Sequence, residues 1–122
     1  MSSNAINFDT VRDIALQLPA VQQSTAYGSP ALKVQGILLA CIPTHRSAEP
    51  DSLVVWVDFA DRAELLEGDP AVYYVTDHYA PYPAVLVRLP RSNPDALRDL
   101  LGMAYKFVTR KAAPRPPPKK RR

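Results

Sequence analysis

Asp77 and His78 stand side by side in the stretch Thr76-Asp77-His78-Tyr79-Ala80-Pro81-Tyr82-Pro83, with two tyrosines close behind. An acid next to an imidazole is the start of a general-base pair. Such a pair also needs an orienting contact and a nucleophile or substrate within hydrogen-bond reach. Neighbours on an extended strand point to opposite faces, so Asp77 can orient His78 only where the chain bends, and Ala80-Pro81 offers a place to bend. A nucleophile is harder to find. Cys41, the only cysteine, lies in an apolar run and reads as a small buried hydrophobe. The remaining hydroxyls are Thr76 and the tyrosines, and tyrosine stays protonated near neutral pH. No residue is therefore expected to be catalytic. The leading expectation for the stretch is a polar turn in which Thr76 and Asp77 bond nearby backbone groups.

Metal binding is a weaker reading. A structural zinc site takes four Cys or His ligands at short spacings, whereas the two histidines, His45 and His78, are 33 positions apart. Oxygen ligation by Asp58, Asp61 and Asp77 is conceivable, yet helix capping accounts for the first two. No metal or other cofactor is expected. Ligand or partner binding remains. Tyr27, Lys33, Trp56, Asp77, His78, Tyr79 and Tyr82 form the candidate patch, since aromatic groups on a sheet stack on bases or anchor peptides. Strand alternation admits only a subset to one face. Tyr73 and Tyr74, for example, must point opposite ways, and one of them belongs to the core.

These residues need a scaffold. Val11, Ile14, Ala15 and Leu18 recur at helical spacing and predict a first helix from Phe8 to Leu18, capped by Asn7 or Asp9 and stopped by Pro19. Short strands are expected at 24–27 and 31–34. A longer apolar one follows at 37–42 after a Gln35-Gly36 hairpin turn, and a fourth at 52–58. The polar segment 43–51 between them carries His45. A short helix at 60–67 precedes strands at 72–76 and 84–89, and Asn93-Pro94 opens a last helix with buried positions at Leu97, Leu100, Leu101, Ala104 and Val108. The connections are too short for helical crossovers, so the order α-β4-α-β2-α predicts a two-layer α+β fold with a largely antiparallel sheet and helices on one face.

A chain of 122 residues with 47% apolar and 22% charged content is one ordinary globular domain. It shows no apolar run long enough to span a bilayer and no leader-like N-terminus, which predicts a cytoplasmic protein without membrane insertion. The charge is divided. Seven of fifteen basic residues (Arg110, Lys111, Arg115, Lys119, Lys120, Arg121 and Arg122) lie from position 110 on, and all twelve acids lie before it, so residues 1–109 carry about −4. The expected division is a folded domain over 1–109 and a disordered, basic, proline-rich tail over 110–122. Those seven cations can contact phosphates with little base preference.

Three stretches carry a resemblance: "TAYGSPALKVQG" at 25–36, "LVVWVDFADRAELLEGDPAVYYVTDHY" at 53–79 and "YPAVLVRL" at 82–89. Together they resemble the MmcQ/YjbR family of small bacterial proteins over residues 8–109. The resemblance implies a two-layer α+β fold similar to type III secretion chaperones, and a DNA or other nucleic-acid partner. The expectation is a non-enzymatic nucleic-acid-binding protein with the tail on the phosphates. The alternative is a protein-interaction or chaperone-like module that uses the sheet face, and an enzyme centred on Asp77 and His78 ranks third.

Overall fold

The computed structural model describes residues 6–112, the last two as backbone only. The elements are α1 (Phe8–Ala15), β1 (Val21–Ala26), β2 (Ser29–Val34), β3 (Ile37–Cys41), β4 (Ser52–Trp56), α2 (Phe59–Gly68), β5 (Tyr73–Tyr74), β6 (Ala84–Arg88), a 3-10 turn at Leu89–Arg91, and α3 (Pro94–Ala112). The strands form one sheet in the order β1-β2-β3-β4-β6-β5, and every pair is antiparallel. The α+β architecture is the one expected.

Local chemistry sets the boundaries. Asn7 Oδ1 accepts from the Thr10 N–H, Asp58 Oδ1 from Ala60 and Asn93 Oδ1 from Ala96, so each helix begins on a side-chain cap. Two tight hairpins shape the first three strands. Tyr27-Gly28 and Gln35-Gly36 both have positive φ at both central residues, the backbone twist that two-residue hairpin turns require.

Alternation then divides the side chains between two faces. On one face Leu53, Val55, Val85 and Val87 meet Val11, Ile14, Leu97, Leu100, Leu101, Ala104 and Val108 from α1 and α3, and α2 adds Leu65 and Leu66 at the edge. On the other face a smaller cluster joins Ala31, Cys41, Val54, Ala84 and Leu86, covered by Tyr79 rather than by a helix. Between β2 and β3 the register shifts after Leu32, which pairs with Ala40 while Lys33 pairs with Leu38. Leu39 is the extra residue of this bulge, and both Leu39 and Ala40 reach the helix-side core.

Some boundaries differ from the sequence expectation. The helix predicted to reach Leu18 ends at Ala15, and Gln17 and Leu18 continue in tighter i→i−3 bonds to Ile14 and Ala15. β1 starts three residues earlier than Ser24, because Val21 pairs with Val34 and joins the core. The strand expected at 72–76 shrinks to Tyr73–Tyr74, since Thr76 turns away to bond across to another loop. α3 extends to Ala112, so Arg110 and Lys111, assigned to a disordered tail, are helical. No proline lies between Pro94 and Lys111, so nothing in the sequence interrupts the helix through these two cations. The rest of the tail, with Arg115, Lys119, Lys120, Arg121 and Arg122, lies outside the described residues.

Candidate functional site

Two loops, 42–51 and 75–83, cross the sheet face that no described helix covers and enclose a cleft of about 440 Å3. Its floor is Cys41, Val54 and Trp56, and its walls are His45, His78, Tyr79, Tyr82 and Tyr27. The centre of the wall is a pair of histidines. The His45 and His78 rings lie 3.6 Å apart, centroid to centroid, and 7° from parallel. Tyr79 abuts His78 edge-on at 4.7 Å, and Tyr82 leans over it at 6.5 Å.

The stack is held by hydrogen bonds that fix the His45 tautomer. The Ser47 backbone N–H donates to His45 Nδ1 at 3.1 Å. A backbone N–H can only donate, so Nδ1 carries no proton and the neutral ring holds its proton on Nε2. The Ser47 hydroxyl lies 2.8 Å from the same nitrogen and 2.9 Å from the Thr76 hydroxyl, which ties one loop to the other. Desolvation lowers the His45 pKa below its ordinary value, and the charges of His78 and Arg46 lower it further. Burial raises the Tyr79 phenol, partly offset by a backbone hydrogen bond at His45.

Farther along, Tyr74 and Arg88 pin the base of loop 42–51. The Tyr74 hydroxyl accepts from the Glu49 N–H at 2.7 Å and lies 2.6 Å from Ser52 Oγ. Arg88 grips both Glu49 carboxylate oxygens, at 2.9 and 2.7 Å, donates to the Pro70 and Ala71 carbonyls, and covers the Tyr74 ring at 4.3 Å. The Arg88 hydrogen bonds hold the Glu49 carboxyl below its usual range.

The sequence-predicted residues divide accordingly. Tyr27, Trp56, His78, Tyr79 and Tyr82 line the cleft. Tyr27 and Tyr82 are 84% and 51% exposed, so their rings are available to a ligand. Lys33 sits on β2 between the two core residues Leu32 and Val34, hence on the cleft face but outside the cleft. Asp77 is exposed and outside the cleft lining, and no hydrogen bond or ion pair joins it to His78, so the acid–imidazole pair is not assembled. The turn is held instead by the Thr76 carbonyl, which accepts from the Tyr79 and Ala80 N–H groups. As alternation required, Tyr73 enters the helix-side core and Tyr74 the opposite face. The residues that sequence reasoning missed are His45 and Ser47, for which 43–51 carries no local signal.

Burial pushes the Cys41 thiol up to about 11, leaving no thiolate at neutral pH. Among the described residues, no group of three or more His, Cys, Asp or Glu is placed to hold a metal ion. Nor is any described helix long and apolar enough to cross a membrane. Of the tail cations assigned to phosphates, Arg110 is seen, 3.8 Å from Asp58 and packed over the Phe107 ring.

A search of curated proteins returned no match. Among solved structures, the crystal structure of Deinococcus radiodurans protein DR2400, with a domain designated DUF419, superposes with a TM-score of 0.73. It is 21% identical and covers 94% of this chain and 87% of its own, which shows a shared fold. The family model named YjbR matches residues 16–107, which include every residue of the cleft. By that match the chain belongs to the YjbR family.

Proposed function

We propose that the protein is a non-enzymatic nucleic-acid-binding module in which the aromatic cleft takes an unpaired base and the cations from Arg110 onward contact phosphates. The observation that carries this reading is the cleft itself, a concave site lined by aromatic and imidazole rings, two of them largely exposed. Rings of this kind stack on any base face and favour single strands over duplex. The described surface supports duplex binding less well. Arg12, Arg88 and Arg98 are paired to acids, and Arg62 donates to the Tyr82 and Ala84 carbonyls. Cys41 and the unassembled Asp77–His78 pair support a binding role over a catalytic one.

Fluorescence anisotropy of labelled single-stranded and duplex oligonucleotides at low and moderate salt tests this. The full chain should prefer single strands, with affinity falling steeply as salt rises. Replacing Tyr27 or Tyr82 by Ala should weaken binding by about 5-fold or more, from a stacking contribution of about 1 kcal/mol or above. Equal affinity for duplex, or indifference to both tyrosines, would refute the reading.

The protein-interaction reading, in which a chaperone-like module uses the sheet, is favoured by one specific observation. Among the described residues β1 is an edge strand, mostly exposed, and pairs only with β2. An exposed edge can accept a strand from a partner. That association would be insensitive to salt and to the Tyr82 substitution.

A further inference from the structure

We propose that the His45–His78 stack is a proton-operated latch on the cleft: a proton on His45 Nδ1 frees loop 42–51 from loop 75–83, and the cleft lets go of its ligand. The proposal rests on reading the cleft as a nucleic-acid site and adds how that site is regulated.

Two contacts at His45 tolerate only the neutral ring. The first is at Nδ1, where the Ser47 backbone N–H donates at 3.1 Å. A proton on Nδ1 sets two donors against each other with no acceptor between them. The Ser47 hydroxyl, 2.8 Å away, can turn to accept that proton, but the backbone N–H cannot turn. The ring and Ser47 must therefore separate. Ser47 is also the residue whose hydroxyl, 2.9 Å from that of Thr76, ties one loop to the other.

The second contact is the stack. The rings lie 3.6 Å apart and 7° from parallel, too close for water to enter between them. One charged ring can rest on a neutral one, but two charged rings repel across a gap that no water screens. A proton on His78 alone leaves the Ser47 bond in place, so His45 is the ring that works the latch.

Among the described residues around the pair, none offsets a second positive charge. Facing His45 are Arg46 on its own loop, His78, Tyr79 and Tyr82 from loop 75–83, Cys41 from β3 and Tyr27 from the first hairpin. The cleft lining holds no carboxylate. Glu49 and Asp51 share a second hollow with His45, but Arg88 holds both Glu49 oxygens and Asp51 is exposed. Asp77 is exposed and outside the lining. Desolvation, then the charges of His78 and Arg46, lower the His45 pKa below its ordinary 6.5, so the latch is shut at neutral pH and opens in acid.

The sign of the effect separates the latch from bulk electrostatics. Acid makes the protein more positive, which strengthens phosphate contacts and should tighten binding. The latch predicts the reverse. If only the chain with neutral His45 binds, apparent affinity falls with that fraction, about 10-fold for each pH unit below the native value.

The test measures oligothymidylate binding by anisotropy at fixed ionic strength from about pH 7.5 to about 4.5, in the full chain and in His45→Asn. Thymine takes up no proton in this range. Asn offers a side-chain carbonyl to the Ser47 N–H and cannot titrate. Affinity in the unaltered chain should hold above pH 6.5 and then fall, while the variant's profile stays level or rises with acid. A level or rising profile in the unaltered chain, or an equal fall in the variant, would overturn the proposal. A second readout needs no nucleic acid. Trp56, the only tryptophan, floors the cleft, so acrylamide quenching of its fluorescence should increase over the same acid range. Thr76→Val cuts the tie between the loops without a proton, and at pH 7.5 it should show the quenching constant that the unaltered chain reaches in acid. Quenching that ignores both acid and Thr76→Val would also overturn the latch. Failure of the nucleic-acid reading appears instead as absent oligonucleotide binding at every pH.

Discussion

The two faces of the sheet are built from the same strands by different means. On the helix side, side chains from β2, β3, β4 and β6 interdigitate with α1 and α3 in a continuous apolar core. On the loop side, six buried residues form a small cluster, and two loops held by polar and ring contacts roof it. The first arrangement stabilises through area and close packing. The second leaves a cleft whose shape depends on a few specific contacts. A family fold can keep the first face while its members vary the second, because loops change at less cost than a core.

The sharpest way to break the comparison is to truncate one side chain to Ala on each side. Leu101→Ala opens a hole in the helix-side core and should cost about 2–5 kcal/mol, seen as a large drop in the denaturant midpoint. His78→Ala removes a ring from the stack and should cost only about 1 kcal/mol, the scale of an aromatic pair. It should nevertheless abolish ligand binding. If His78→Ala destabilised as much as Leu101→Ala, the loops would belong to the core and the contrast would fail.

Acid probes the roof selectively. The folded-state pKa of His45 is depressed, so the unfolded chain takes up the proton first as pH falls. The contribution of His45 is whole above pH 6.5, its ordinary value, and is lost as pH drops through the lowered native value. Thermal melts between pH 7.5 and 5 should slope downward on the acid side. His45→Asn should flatten that slope, while a variant on the helix side keeps it.

The smallest expected effect has the opposite sign. Tyr27 occupies the first turn position at φ 56°, a conformation that costs a bulky residue about 1–2 kcal/mol. Tyr27→Gly relieves that strain, so the melting temperature should hold or rise slightly while ligand affinity falls. A drop in both would show that the ring packs for stability rather than for binding.

How far the sequence foretold this follows from the range of the interactions involved. Helix starts were legible because Asn7, Asp58 and Asn93 act within three residues of themselves. Strand faces were legible because alternation is strict, as Tyr73 and Tyr74 show. The end of α1 was not, since Leu18 keeps the helical period although the chain has already tightened. Half of the cleft could be named from its aromatic residues. The His45–His78 stack could not, because it joins positions 33 apart through loop contacts that leave no periodic trace. Asp77 misled for the converse reason, since adjacency in sequence suggested a pair that the turn does not form.

The most direct test of the central claim, that the loop-side cleft is where this protein binds, is a titration of Trp56 fluorescence with a single-stranded oligonucleotide in the unaltered chain and in the Tyr82→Ala variant. The account predicts a saturable change in the unaltered chain that is lost or strongly weakened in the variant, with both proteins melting alike. A Trp56 signal that stays flat while anisotropy reports full binding would place the ligand elsewhere and contradict it.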